Sequence, residues 1–170
     1  TIFLTSIYND MPIDVNKMIN IDQLDSSNIE SVDEVILLSK EAQDFLAAQS
    51  WCKRITNGFF DRGWGYTLAV FYFLIEPNKS DVPNSVWVIT GDLPPAYIDV
   101  SDNPNGACAI HGYVIEMQEW VDAVLNGDSV DGLIPVNVPP ERKYAKMLQE
   151  RLKFIRKNIL SNFKKELEAG

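Results

Sequence analysis

The sequence predicts an α+β fold, an antiparallel sheet of three to four strands packed with three main helices, the last of them long and C-terminal. Three observations carry this. The run Leu68 to Ile75 is rich in β-branched and aromatic residues and apolar at every position, which suits a central strand covered on both faces. Two segments, from about 31 to 51 and from about 103 to 126, repeat apolar residues every three or four positions, the period of an amphipathic helix. A third such stripe, Tyr144, Leu148, Leu152, Ile155, Ile159, Phe163 and Leu167, runs to the C-terminus with Lys and Arg on its other faces.

Taken in order, residues 1–8 have the composition of a short strand. Residues 10–29 are polar and punctuated by Asn9-Asp10, Pro12 and Asp25-Ser26-Ser27-Asn28, so residues 1–30 read as a loosely ordered lead-in to a single domain spanning 1–170. Ser31-Val32-Asp33-Glu34 matches a capping box and predicts a helix start. That helix carries Val35, Leu38, Ala42, Phe45, Leu46 and Gln49 on one face and runs to about Trp51. Strands follow over 53–60, 66–76 and 85–90, with Asp61-Arg62-Gly63-Trp64-Gly65 as the first turn and 77–83 as the second, which reads as an antiparallel meander. Asn103-Pro104 supplies an N-cap and a first-turn proline. The helix that follows buries Ala107, Ile110, His111, Val114, Met117 and Val121 and stops at Asn126-Gly127. Residues 132–140 contain Pro135, Pro139 and Pro140 and lie extended. The final helix covers about 141 to 168.

Composition narrows the function classes. At 170 residues, 46% hydrophobic and 23% charged, the chain is an ordinary globular protein. No run approaches the roughly 18 apolar residues that cross a bilayer, so no membrane role is expected. The opening residues lack a basic stretch ahead of an apolar one, which argues against a signal peptide and for a cytoplasmic protein. Cys52 and Cys108, both in patterns that read as helical, are expected to be reduced core thiols. The net charge of −9 is uneven: residues 141–170 hold nine Lys/Arg against four Asp/Glu, and residues 1–140 hold six against twenty. An acidic body does not suit nucleic acid, whose phosphates need a basic surface. It suits a basic protein partner through steering and charge complementarity, although acidity also serves solubility alone.

Familiar catalytic motifs are missing. There is no Gly-rich phosphate loop, no G-x-S-x-G, no H-E-x-x-H and no C-x-x-C. The one histidine, His111, lies three positions after Cys108, but a metal site needs three or four ligands and no second Cys/His cluster exists. His111 therefore reads as a near-core side chain, and no metal or other cofactor is expected. The residues singled out for contact with a partner or ligand are Asp61, Arg62, Trp64, Asp92 and Tyr97. Trp64 sits at a turn beside Arg62, and Trp and Arg are enriched at binding hot spots. Asp92 follows a strand end, where acid–base groups and turn-forming carboxylates both occur.

Trp51-Cys52 followed by Trp87-Val88-Ile89-Thr90-Gly91-Asp92-Leu93-Pro94-Pro95-Ala96-Tyr97 resembles a family of uncharacterised bacterial proteins that pairs a Trp-Cys with Trp-Val-Ile-x-Gly-Asp-Leu-Pro-x-x-Tyr. The resemblance covers about 51–98, and both the segment Arg62 to Tyr66 and the basic last helix depart from it. It implies a bacterial source and a shared α+β body and carries no mechanism. Three readings follow. The first, and preferred, is a non-catalytic binding protein of the immunity or inhibitor kind with a basic partner. The second is an enzyme acting on a small molecule, with Asp61, Arg62, Asp92 and Tyr97 converging on one pocket. The third is an oligomeric structural subunit.

Overall fold

Strand β3 (Leu68–Pro77) organises the protein, because its alternate side chains are buried in two different cores. In the computed structural model, which describes residues 13–170, it lies at the centre of a five-stranded antiparallel sheet of order β1-β2-β3-β4-β5. The other strands are β1 (Ile19–Asn20), β2 (Cys52–Trp64), β4 (Ser85–Thr90) and β5 (Ala96–Ile98). The central meander forms as the sequence predicts. Among the described residues the strand count is five rather than three to four, because β1 and β5 have two and three residues, too few to show an alternating pattern.

Ala69, Phe71, Phe73 and Ile75 share a core with helix α1 (Val32–Ala47), which contributes Val35, Leu38, Ala42 and Leu46. Leu68, Val70 and Tyr72 belong, with Trp87, Ile89, Ala96 and Ile98, to the other core, made with helix α2 (Gly106–Asn126). Helix α3 (Arg142–Phe154) packs on α2 and adds Ala145, Leu148 and Leu152 to that core. Burial of apolar surface, worth about 25 cal/mol per Å², makes these two cores the main stabilising feature.

Several boundaries differ from the sequence reading. Strand β2 continues through Asp61-Arg62-Gly63-Trp64, and the turn falls at 65–67. Register shifts between Cys52 and Arg54, Ile55 and Asn57, and Phe60 and Arg62 break its alternation and hide its length. Cys52 therefore lies on a strand, not a helix, while Cys108 is helical; both are buried and free. Helix α1 ends at Ala47, short of Trp51, and Ser31 makes no side-chain cap, its backbone at ψ 56° lying outside the usual cap geometry. Helix α2 is capped by Asn105, whose Oδ1 accepts from the Cys108 N–H at 2.9 Å. Asn103 is used otherwise: its carbonyl accepts from the buried Trp87 indole N–H at 2.9 Å. The helix stops at Gly127, with φ at 75°, as expected. His111 is exposed rather than near the core, since Tyr113 and Trp120 are among the buried residues of its helix.

The C-terminal segment is helical over most of 142–167 but is not one uniform helix. Helix α3 passes into a π turn at Ile155–Ile159 and a 3-10 turn at Leu160–Asn162, breaks at Phe163, and resumes as α4 (Lys164–Leu167). The strand expected over 1–8 lies outside the described residues.

Candidate functional site

The five residues singled out in the sequence fall in three separate places. Asp61 and Arg62 lie at the last register shift of β2, with side chains 10% and 18% exposed. The Arg62 Nε–H donates to the Asp61 carboxylate, and Nη1 and Nη2 donate to the Glu166 carboxylate at 2.9 and 2.8 Å. The guanidinium carbon lies 4.7 Å from the centre of the Phe163 ring, a cation–π contact. Gly106 makes room for the cluster, since a Cβ there would stand 2.6 Å from Asp61 Cγ. Trp64 packs edge-on against the same Phe163, with ring centres 5.8 Å apart.

Electrostatics agree with a structural clasp. Burial pushes the Asp61 carboxyl above its usual range against the attraction of Arg62. Burial alone would lower the Arg62 pKa, but Glu166 and Asp61 more than offset it and hold the guanidinium charged. The Arg62 hydrogen bonds hold Glu166 below the usual range. The Asn105 side-chain amide also donates to the Glu166 carbonyl at 2.9 Å. These contacts fasten the end of the chain to β2 and to the start of α2, and the three charged groups in them are engaged with one another.

Asp92 is the second place. Its carboxylate accepts from Arg151 Nη2 at 2.7 Å and its carbonyl from Arg151 Nε at 3.1 Å, while its own N–H donates to the Tyr66 and Thr67 carbonyls. Gly91 adopts φ 143°, and a Cβ there would stand 2.7 Å from the Thr67 carbonyl carbon. The Gly91-Asp92-Leu93-Pro94 segment is thus clamped between the β2–β3 turn and α3, beside a cavity of about 310 Å³ lined also by Trp120, Tyr144 and Met147.

Tyr97 is the third. It lies on β5 with its side chain outward, 38% exposed, next to Trp51 (ring centres 4.9 Å, planes at 70°) and Phe45 (6.3 Å). Tyr97 and Glu116 line two adjoining cavities. One, of about 340 Å³, is completed by Trp51, Val82, Pro83, Ser85, Val86 and Asp99. The other, of about 250 Å³, includes Phe45, Gln49 and the extended segment from Gly132 to Pro135. Burial, together with the nearby carboxylates of Glu119 and Asp99, raises the Glu116 pKa above the usual range. Asp99 is oriented by the backbone N–H and hydroxyl of Ser101, each at 2.9 Å.

The structure therefore does not bring Asp61, Arg62, Asp92 and Tyr97 to one pocket, and the convergent enzyme site built from those four residues is not formed. It instead groups Tyr97 with Trp51, Asp99 and Glu116, none of which the sequence placed among the contact residues, although Trp51 opens the motif of the family resemblance. One signal was readable: between Lys79 and Arg142 the sequence contains no Lys or Arg, so the carboxylates of α2 have neither on their own helix. Among the described residues no group of three or more His, Cys, Asp or Glu is arranged to hold a metal ion, and no helix is long and apolar enough to cross a membrane. Comparison with protein-family models, with curated proteins and with solved structures yields no match to this chain.

Proposed function

We propose that this chain is a non-catalytic binding protein that recognises a basic protein partner, in the manner of a bacterial immunity or inhibitor protein acting in the cytoplasm. The observation that supports this reading is the uncompensated acidic surface around α2. Asp99, Glu116 and Glu119 form no ion pair among the described residues, whereas Asp92, Asp61 and Glu166 each have an arginine. Surface carboxylates left without counter-charges, two of them raising the pKa of the third, are a standing attraction for an external cation. The two buried thiols accord with a reducing compartment.

Affinity capture from the source organism, comparing wild type with a Glu116→Lys/Glu119→Lys variant of unchanged circular dichroism, tests the reading. The expected result is a captured protein of high isoelectric point whose association slows as salt is raised and which the variant fails to retain. A partner retained equally by both proteins, or one that is itself acidic, would overturn it.

A further inference from the structure

The cavity beside Tyr97 has a specific chemical shape. Part of its lining is apolar, from Val82, Pro83 and Val86, and two aromatic rings, Trp51 and Tyr97, meet at 70° to form a corner. Ser85 and two carboxylates, Asp99 and Glu116, complete its lining, and no Lys, Arg or His among the described residues lines it. A neutral apolar occupant would fill the walls but would further desolvate both carboxylates without pairing them, which is costly. A small inorganic cation would meet the carboxylates but leave the apolar walls unused. A long amphipathic cation satisfies both halves, laying its methylene stem on Val82, Pro83 and Val86 and carrying its charged head to the rings and carboxylates.

The corner is also held ready. The Trp51 carbonyl accepts from the Asn78 N–H at 2.9 Å, and the Asn78 side chain donates to the Ser50 carbonyl at 2.7 Å, which pins the loop bearing the indole. Tyr97 is fixed by pairing with Val88 across β4 and β5. A rigid aromatic corner loses little conformational freedom when occupied, the property that makes aromatic residues anchors at interfaces.

We infer that the Trp51–Tyr97–Asp99–Glu116 cavity is an anchor pocket for one lysine or arginine side chain of the partner. This rests on the basic-partner reading and adds to it the place and the chemistry of the central contact. The wider acidic surface steers the approach, and the pocket sets the lifetime of the complex.

Model compounds test the pocket without knowledge of the partner. N-acetyl-lysinamide, N-acetyl-argininamide and the neutral N-acetyl-norleucinamide are titrated into the full chain, and the Trp51 indole and Tyr97 ring resonances are followed by NMR. The expected result is saturable shifts with at least one of the two cationic compounds, the better of the two naming the anchor, and none with norleucinamide at equal concentration. Glu116→Gln, a surface change that leaves the fold intact, should weaken binding by about tenfold, the loss expected for one charge-assisted contact. Norleucinamide binding as well as lysinamide, or cation binding unaffected by Glu116→Gln, would overturn the inference. Loss of partner capture in the Glu116→Lys/Glu119→Lys variant combined with no response to either cationic compound would remove the anchor pocket while leaving the basic-partner reading in place. Response to the compounds with no basic partner captured would do the reverse.

Discussion

Arg62 and Glu166, 104 positions apart in the chain, are joined by two parallel hydrogen bonds of 2.9 and 2.8 Å. The pair closes the C-terminal segment onto the far end of β2, and the same guanidinium neutralises the covered Asp61 carboxylate. Arg62→Ala would leave Asp61 without its cation and remove the seat of Phe163. The expected loss is about 3 kcal/mol, as for other ion pairs broken from one side in covered positions. Urea denaturation measures it. Arg62→Lys should recover only part, since an ammonium cannot hold Asp61 and both Glu166 oxygens in the same planar fork.

Acid should act on this clasp in two opposed ways. Glu166 has its folded pKa depressed, so its contribution is complete above the ordinary glutamate pKa and is lost as pH falls through the depressed value. Asp61 has its folded pKa raised, so protonating it as pH falls from that raised value toward the ordinary one favours the folded state. Between the ordinary carboxylate pKa and the raised Asp61 value the clasp should hold. Further acidification, through the depressed Glu166 value, should loosen the C-terminal segment first. Trp64 fluorescence, read in a variant whose other tryptophans are replaced by Phe, reports the Phe163 contact across this range.

Gly91→Ala should cost about 2 kcal/mol. The position needs φ 143°, and the nearest obstacles are backbone atoms, the Thr67 carbonyl and the Leu68 nitrogen at 2.9 Å, which cannot rotate aside. The thermal midpoint should fall, and hydrogen exchange at the Asp92 N–H, which bonds to Tyr66 and Thr67, should quicken.

Tyr113→Phe should cost about 1 kcal/mol, the usual net worth of a hydrogen bond. The buried Tyr113 hydroxyl donates to the Pro94 carbonyl at 2.6 Å and links α2 to the loop after β4. A double cycle with Gly91→Ala should show coupling between the two changes, because both act on one loop.

Glu116→Gln should leave the protein as stable or slightly more so at neutral pH, by less than about 0.5 kcal/mol given its exposure to solvent. Its raised pKa means that the ionised form is disfavoured in the folded state, so stability should grow as pH falls through that raised value in the wild type and not in the variant. Chemical denaturation at two pH values checks the sign. A side chain whose removal relieves the fold while weakening binding is kept for a reason other than folding.

The fold was legible where length gave periodicity room to speak. The apolar run Leu68 to Ile75 announced a strand buried on both faces, and the stripes of α1 and α2 announced helices. Strand β2 was read short because its register shifts interrupt alternation, so residues 61–64 took on the look of a turn. Arg62 and Trp64 meet Glu166 and Phe163, partners that no local pattern ties to β2. The cavities around Tyr97 draw on the end of α1, β5, α2 and the loop before β4, and such convergence exists only in three dimensions. Of their members only Tyr97 was named as a contact residue from the sequence.

The π turn at Ile155–Ile159 sets where the Glu166 carboxylate lands. Between it and α4 the chain passes a 3-10 turn and a break at Phe163, so removing one residue from the π turn would pull every later position back by one along the path to β2. Ala145, Leu148 and Leu152 would stay in the core, while Glu166 would be carried away from Arg62. The turn thus works as a spacer between the helix seated on α2 and the residue that closes the clasp. A single-residue insertion or deletion there, which alters no side chain of the clasp, would separate its two halves.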